Sequence, residues 1–166
     1  MFRNKVFTGL IICMTALSAC VSSPYYQKDI TIPQNNWQTS FKPSFKFEVT
    51  DTTINYNLYF IIRHTEAYPF SNIWIWINTK KPGATKFERT RIEIPLAEPS
   101  GKWLGRGMGE IWEQRMPITH EGDKAILKKK GTWEISFEQN MRVNPLPEVL
   151  QVGLRIEKNN SNFSGK

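Results

Sequence analysis

From residue 41 onward the apolar residues recur at every second position, and that period decides what the chain can fold into. Phe45, Phe47 and Val49 alternate with Lys46, Glu48 and Thr50, the pattern of a strand with one buried face. Tyr56, Leu58, Phe60 and Ile62 alternate with Asn57, Tyr59, Ile61 and Arg63; here both faces are apolar enough for a central strand. Ile73, Ile75 and Ile77 alternate with Trp74 and Trp76, and Ile92, Ile94 and Leu96 share one face. Trp133, Ile135 and Phe137, then Val152, Leu154 and Ile156, repeat the pattern. Shorter extended pieces are expected at 103–104, 109–116 and 125–128. Turn formers separate these runs: Tyr68-Pro69, Lys80 to Gly83, Glu98 to Gly101, and Asn144 to Pro147. No stretch of about ten residues carries a helical period. The expected class is all-β, a single antiparallel β-sandwich of about eight short strands. The pattern does not give the strand order.

The first 19 residues are of another kind. Arg3 and Lys5 give a positive start, Val6 to Leu17 is mostly apolar, and small Ser18 and Ala19 precede Cys20. That is the layout of a secretory signal with its cleavage site. The apolar run is about a dozen residues, where a membrane-spanning helix needs roughly 20. Leu17-Ser18-Ala19-Cys20 reads as a lipoprotein processing site, in which the Cys20 thiol receives a diacylglyceryl group and cleavage before it frees an amine for a further acyl chain. The expected organisation is a leader at 1–19, a lipidated N-terminus and polar tether at 20–40, a β-sandwich at 41–158 and a disordered tail at 159–166. Val21-Ser22-Ser23 follows Cys20, without an Asp at the second position and without an acidic run. Both points favour a cell-envelope location, on the outer membrane and facing the periplasm.

Cys13 and Cys20 are the 2 cysteines. Removal of the leader leaves no pair for a disulfide, although export delivers the chain to an oxidising compartment. No thiol remains for redox, zinc or nucleophilic work. Loss of Arg3 and Lys5 with the leader takes the formal charge from +7 to +5. Nucleic acid is not an expected partner of an exported chain. Acidic lipid headgroups, anionic glycans or an acidic protein suit the charge better.

The sequence holds no catalytic constellation. Gly101, Gly105, Gly107 and Gly109 are followed by Glu110-Ile111-Trp112-Glu113 rather than by the Lys-Ser/Thr and helix of a phosphate loop. Tight turns or close backbone approach explain them. His64 and His120 have no metal-ligand spacing and are expected in ordinary surface or loop roles. Glu134 and Glu138 share a face with Ser136, as on a solvated sheet surface. Neither a metal nor a cofactor is expected beyond covalent lipid on Cys20, and the chain is not read as an enzyme. Two surface features remain. Trp74 and Trp76 share a strand face and, with Trp103 and Trp112, are candidate contacts for a partner protein or a glycan. Lys128, Lys129 and Lys130 are candidate contacts for an anionic surface.

Four segments also resemble one family. Residues 63–74, RHTEAYPFSNIW, are similar to its strand-ending Arg and Tyr-Pro-aromatic-Ser-Asn turn, and 101–111, GKWLGRGMGEI, to its Gly-x-Trp-x-Gly-x-Gly segment. Gln139-Asn140-Met141-Arg142 and Val152-Gly153-Leu154-Arg155-Ile156-Glu157 resemble its C-terminal elements. With the processing site, in this order and at this length, the set resembles the gliding-motility lipoprotein family GldH of the Bacteroidota. The resemblance implies an envelope lipoprotein needed for gliding and linked to the machinery that exports surface adhesins, with other envelope proteins of that apparatus as partners and the membrane engaged through acyl chains. It implies no enzyme, cofactor or mapped ligand site. The alternative carried by the residues themselves is a glycan-binding lipoprotein using an aromatic sheet face.

Cys20 sets the first expected outcome. Metabolic labelling with a fatty acid should mark the wild-type chain and leave Cys20→Ala unlabelled and unprocessed. An unlabelled wild-type chain would remove the anchor from this account.

Overall fold

The computed structural model describes residues 23–119 and 126–159. The leader with Cys20, His120 and the tail beyond residue 159 lie outside the described residues. The strands, in chain order, are β1 (Tyr26–Thr31), β2 (Asn36–Trp37), β3 (Ser44–Val49), β4 (Asn55–Thr65), β5 (Asn72–Lys80), β6 (Glu88–Pro95), β7 (Arg106–Met108), β8 (Ile111–Pro117), β9 (Gly131–Gln139), β10 (Leu146–Pro147) and β11 (Val149–Asn159). They form a five-stranded sheet ordered β1-β11-β4-β8-β7, a four-stranded sheet ordered β3-β9-β5-β6, and a two-stranded pair of β2 with β10. Every pairing is antiparallel. The all-β antiparallel class is as the alternation predicts, with β4 in the middle of its sheet.

The period of two places the core. On β4, Tyr56, Leu58, Phe60 and Ile62 point inward and are buried, as are Val152, Leu154 and Ile156 on neighbouring β11. Phe45, Phe47, Ile73, Ile75, Trp133, Ile135 and Phe137 face them from the other sheet. Rings join the two layers. Phe60 meets Phe137 edge-on, with centroids 4.9 Å apart and an interplanar angle of 89°. Phe137 also touches Phe45 at 5.4 Å, and Tyr26 of β1 touches Phe47 of β3 at 5.3 Å. Edge-to-face contact brings a ring's positive rim to its partner's negative face.

Two boundaries move. Among the described residues there are eleven strands rather than about eight, and the first of them, β1, starts at Tyr26, ahead of residue 41. Ile32 and Trp37, inside the expected tether, are fully buried. The reason is position in the sheet. β1 is an edge strand paired only with β11, so Gln27, Lys28 and Asp29 stay in water and the alternation that marks interior strands is missing. β2, β7 and β10 are two or three residues long, too short to show a period. Residues 126–128 form a turn instead of a strand.

Strand direction gives the sandwich two distinct ends. Tyr26 pairs with Ile156, and Lys158 with Tyr56, so the chain enters where β11 finishes and β4 begins. Val49 pairs with Gly131, Lys80 with Glu134 and Thr79 with Glu88. The proximal end therefore gathers residues 50–54, 81–87 and 126–130. The distal end gathers 66–71, 96–105, 109–110 and 140–148.

The inter-sheet rings carry the second expected outcome. Phe137→Ala removes the ring shared by both sheets and should cost about 3–5 kcal/mol, the range for a buried aromatic cut back to alanine. Urea unfolding followed by tryptophan fluorescence reads it as a lower midpoint at unchanged slope.

Candidate functional site

Trp74 and Trp76 lie on the outer face of the four-stranded sheet, opposite buried Ile73, Ile75 and Ile77, as the alternation predicts. The face is not bare. The Arg91 guanidinium sits 4.2 Å from the Trp74 ring centroid, and that of Arg89 sits 4.1 Å from Trp76. Register explains this: Trp74 pairs with Glu93 and Trp76 with Arg91, so each arginine reaches diagonally to the tryptophan beside its own partner. Arg89 also pairs with Glu138 at 2.9 Å, and Glu138 with Lys42 at 2.9 Å. The signal for this arrangement was present, since Arg-x-Arg at 89–91 answers Trp-x-Trp at 74–76, but register was needed to read it. A sugar stacking on these indoles would have to displace a guanidinium.

Trp103 and Trp112 are elsewhere. Trp112 on β8 pairs with His64 on β4, and Trp103 packs on the His64 ring with centroids 4.5 Å apart. The four candidate tryptophans thus form two separate groups, each residue half-buried. His64 is fully buried, against the expectation of a surface or loop role. It falls on the inner face of β4, in phase with Phe60 and Ile62. Tyr68 adds a third ring at 5.2 Å. His64 Nδ1–H donates to the Thr65 carbonyl oxygen at 2.9 Å, while Nε2 has no partner among the described residues. Burial holds the imidazole below its ordinary pKa, against the smaller opposing effect of the Thr65 hydrogen bond. Around it the Tyr68 and Trp103 rings form an aromatic packing site. Among the described residues, no group of His, Cys, Asp and Glu is placed to hold a metal ion.

The two turn segments singled out in the sequence meet at the distal end. Glu66 N–H donates to the Glu110 carbonyl at 2.8 Å, and Leu104 N–H to Leu96 at 2.9 Å. Ser71 O accepts from Leu96 and Ala97 N–H, and Tyr68 O–H closes its own turn onto Asn72 O at 3.0 Å. Glycines make the meeting close. A Cβ at Gly105 would overlap the Glu113 carbonyl, and one at Gly107 would press on the Trp112 ring at 3.0 Å. This is the close backbone approach expected of that glycine series. The Gln-x-Met-Arg segment is also structural: buried Gln139 donates to the Trp37 and Val143 carbonyls, each at 3.3 Å, and Met141 Sδ accepts from Trp74 N–H at 3.2 Å.

The convergence leaves an apolar tip that sequence reasoning missed. Met108 and Ile111 face each other across the β7–β8 hairpin and are 85% and 44% exposed; Leu104 nearby is 45% exposed. The signal was an apolar residue on each side of a two-residue turn, Gly109-Glu110. Beside the tip runs a groove of ≈ 520 Å³, lined by Thr31, Arg63, Arg106, Met108, Ile111 and Gln151 among others. Arg63 is tied to Glu113 and Gln151, whereas Arg106 makes no ion pair among the described residues.

The three candidate lysines at 128–130 are exposed at the proximal end. Lys128 is occupied: its ammonium donates to Thr52 O at 3.3 Å, Ile54 O at 3.0 Å and Asn55 Oδ1 at 2.9 Å. Lys129 and Lys130 point to solvent.

His64 yields the third expected outcome. With a folded pKa below the ordinary 6.5, the unfolded chain binds the extra proton first as pH falls. Stability is therefore full above about pH 7 and declines as pH drops through 6.5 toward the folded value. Urea midpoints measured from neutral to mildly acidic pH should show this decline in the wild type and lose it in His64→Phe.

Comparison with known proteins matches this sequence to a family. The chain is 26% identical over 167 residues to the gliding motility lipoprotein GldH homolog of Christiangramia forsetii, covering 95% of this chain and 99% of that protein. It is 29% identical over 130 residues to the gliding motility lipoprotein GldH of Flavobacterium johnsoniae, covering 74% of this chain and 77% of that protein. No solved structure matches. The family model described as GldH lipoprotein matches residues 24–156, which spans β1 to β11 with both converging turn segments; the chain belongs to the GldH lipoprotein family.

Proposed function

We propose that this chain is a lipid-anchored, non-enzymatic accessory component of gliding motility and of the protein-secretion machinery associated with it. It sits on the outer membrane and faces the periplasm. Family membership supports the gliding assignment, since both relatives carry that name. The Cys20 processing site and the Val-Ser-Ser after it support the location. One structural observation carries the mode of action. The segments at 63–74 and 101–111 converge at the end remote from the tether and leave Leu104, Met108 and Ile111 exposed beside a groove.

The mechanism is positioning. Acyl chains confine the domain to one leaflet, which raises its effective concentration for partners embedded in or bound to the same membrane. The distal tip supplies an apolar anchor with Arg106 at its border, the kind of centre that dominates protein interfaces. A β-sandwich suits the role because loops at its ends are held by rigid strands.

The fourth expected outcome tests this in the source bacterium. Deleting the gene should abolish colony spreading and lower the export of surface proteins. A strain carrying Met108→Asp with Ile111→Asp should be as defective as the deletion, with the protein present at the normal level in the membrane fraction. Normal spreading and export in the deletion strain would overturn the assignment; normal behaviour of the double variant alone would overturn the contact surface.

A further inference from the structure

We propose that the proximal end of the sandwich is itself a membrane-docking surface that binds the phosphate groups of an anionic phospholipid bilayer. This rests on the lipid-anchored reading for the nearness of the bilayer. Lys80, Lys81, Lys86, Lys129, Lys130 and Lys158 come from three separate stretches of sequence, and the topology delivers all of them to this one end. The acids there, counted over the described residues, are Glu48, Asp51, Glu88, Glu134 and Glu157, of which Glu134 is paired with Lys46 and Glu157 with Arg115 and Arg155. Glu88 is neutralised by Lys81 at 2.7 Å, and Asp51 accepts both the N–H and the O–H of Thr53. The distal end has no such bias: Lys42, Lys102, Arg106 and Arg142 are balanced by Glu66, Glu98, Glu110 and Glu148.

The platform is braced rather than loose. The three bonds from Lys128 fasten the 50–54 loop to the 126–130 turn. Gly83 lies against the Lys129 ammonium and Gly131 against Pro82, so the β5–β6 turn packs on the same unit. Trp133 Nε1–H donates to Lys129 O at 2.8 Å and fixes that backbone to the core. Phe87, 45% exposed, stands among the lysines with the Lys80 ammonium 5.7 Å from its ring centroid. An apolar ring framed by long cationic side chains fits the boundary between headgroups and water.

The anchor sits on this side. β1 begins at Tyr26, so only residues 21–25 separate Cys20 from the folded domain. At ~3.3–3.6 Å per residue the six steps from Cys20 to Tyr26 span at most about 22 Å. The lysines are thereby kept near the surface, where a negative potential acts over a Debye length of about 8 Å at physiological salt. Docking would set the domain upright, with the Met108 tip pointing away from the membrane.

The fifth expected outcome uses the mature lipidated protein carrying a fluorophore on either Thr85→Cys or Met108→Cys. It is reconstituted in vesicles of phosphatidylcholine alone or with added phosphatidylglycerol, and quenched by aqueous iodide. Site 85 should be shielded several-fold in the anionic vesicles and regain full quenching in neutral vesicles, in high salt, or with Lys129→Glu and Lys130→Glu. Site 108 should stay exposed throughout. Flotation separates the two ideas. Protein that floats with both vesicle types while site 85 is quenched equally in each keeps the anchor and overturns the docking surface. Protein that floats only with anionic vesicles at low salt upholds docking without an anchor, and protein that floats with neither overturns both.

Discussion

The contact between Phe60 and Phe137 is the constraint on which the rest of this structure depends. With Cys13 and Cys20 the 2 cysteines of the chain, both ahead of the described fold, no covalent cross-link joins the sheets of the sandwich. Cohesion comes from removing two apolar sheet faces from water, and Phe137 sits at their centre, touching Phe60 on one side and Phe45 on the other. β4 and β9 are interior strands of their own sheets. Fixing one against the other therefore fixes the register of every neighbour by backbone pairing. The hairpins and turns at both ends inherit their positions from that choice.

How much of this was legible in the sequence follows from how each element is buried. Interior strands have one face in the core and one in water, or both covered, and their side chains report it directly: β4, β5, β9 and β11 stand where the alternation puts them. β1 was hidden because an edge strand leaves Gln27 to Asp29 wet, so it reads as a tether. His64 is a titratable side chain, which suggests the surface, but its phase with Phe60 and Ile62 assigns it to the core. The glycine series was understood as close approach from what it lacked, a lysine and a helix. Which side of the sandwich each turn occupies needed strand order, which no local pattern encodes. For that reason neither the Met108 tip nor the gathering of lysines was visible before the topology.

The outer tryptophans show how a sequence signal changes meaning with register. Two indoles on a sheet face suggest a platform, but the diagonal arginines cover them and Glu138 holds Arg89 in place. Stacking of this kind stabilises the β5–β6 pair by cation–π attraction. It also lines an exposed edge with charge, since β6 pairs with β5 alone and ends at Pro95. Charges and proline on an edge strand discourage sheet-to-sheet association. The W-x-W and R-x-R patterns are thus accounted for by the needs of one sheet edge, which removes the main reason to look for a sugar there.

What remains unexplained by folding alone lies at the two ends. A core does not need Met108 in water, nor does it need lysines from separate stretches of sequence gathered at one end. Features that the core does not need and that cluster by topology are where an external partner belongs. Among the described residues the ends differ in the chemistry they offer, cationic near the chain entry and apolar with Arg106 at its border opposite. The strands between them are rigid and run end to end. A domain built this way transmits position: whatever holds one end determines where, and in which orientation, the other is presented.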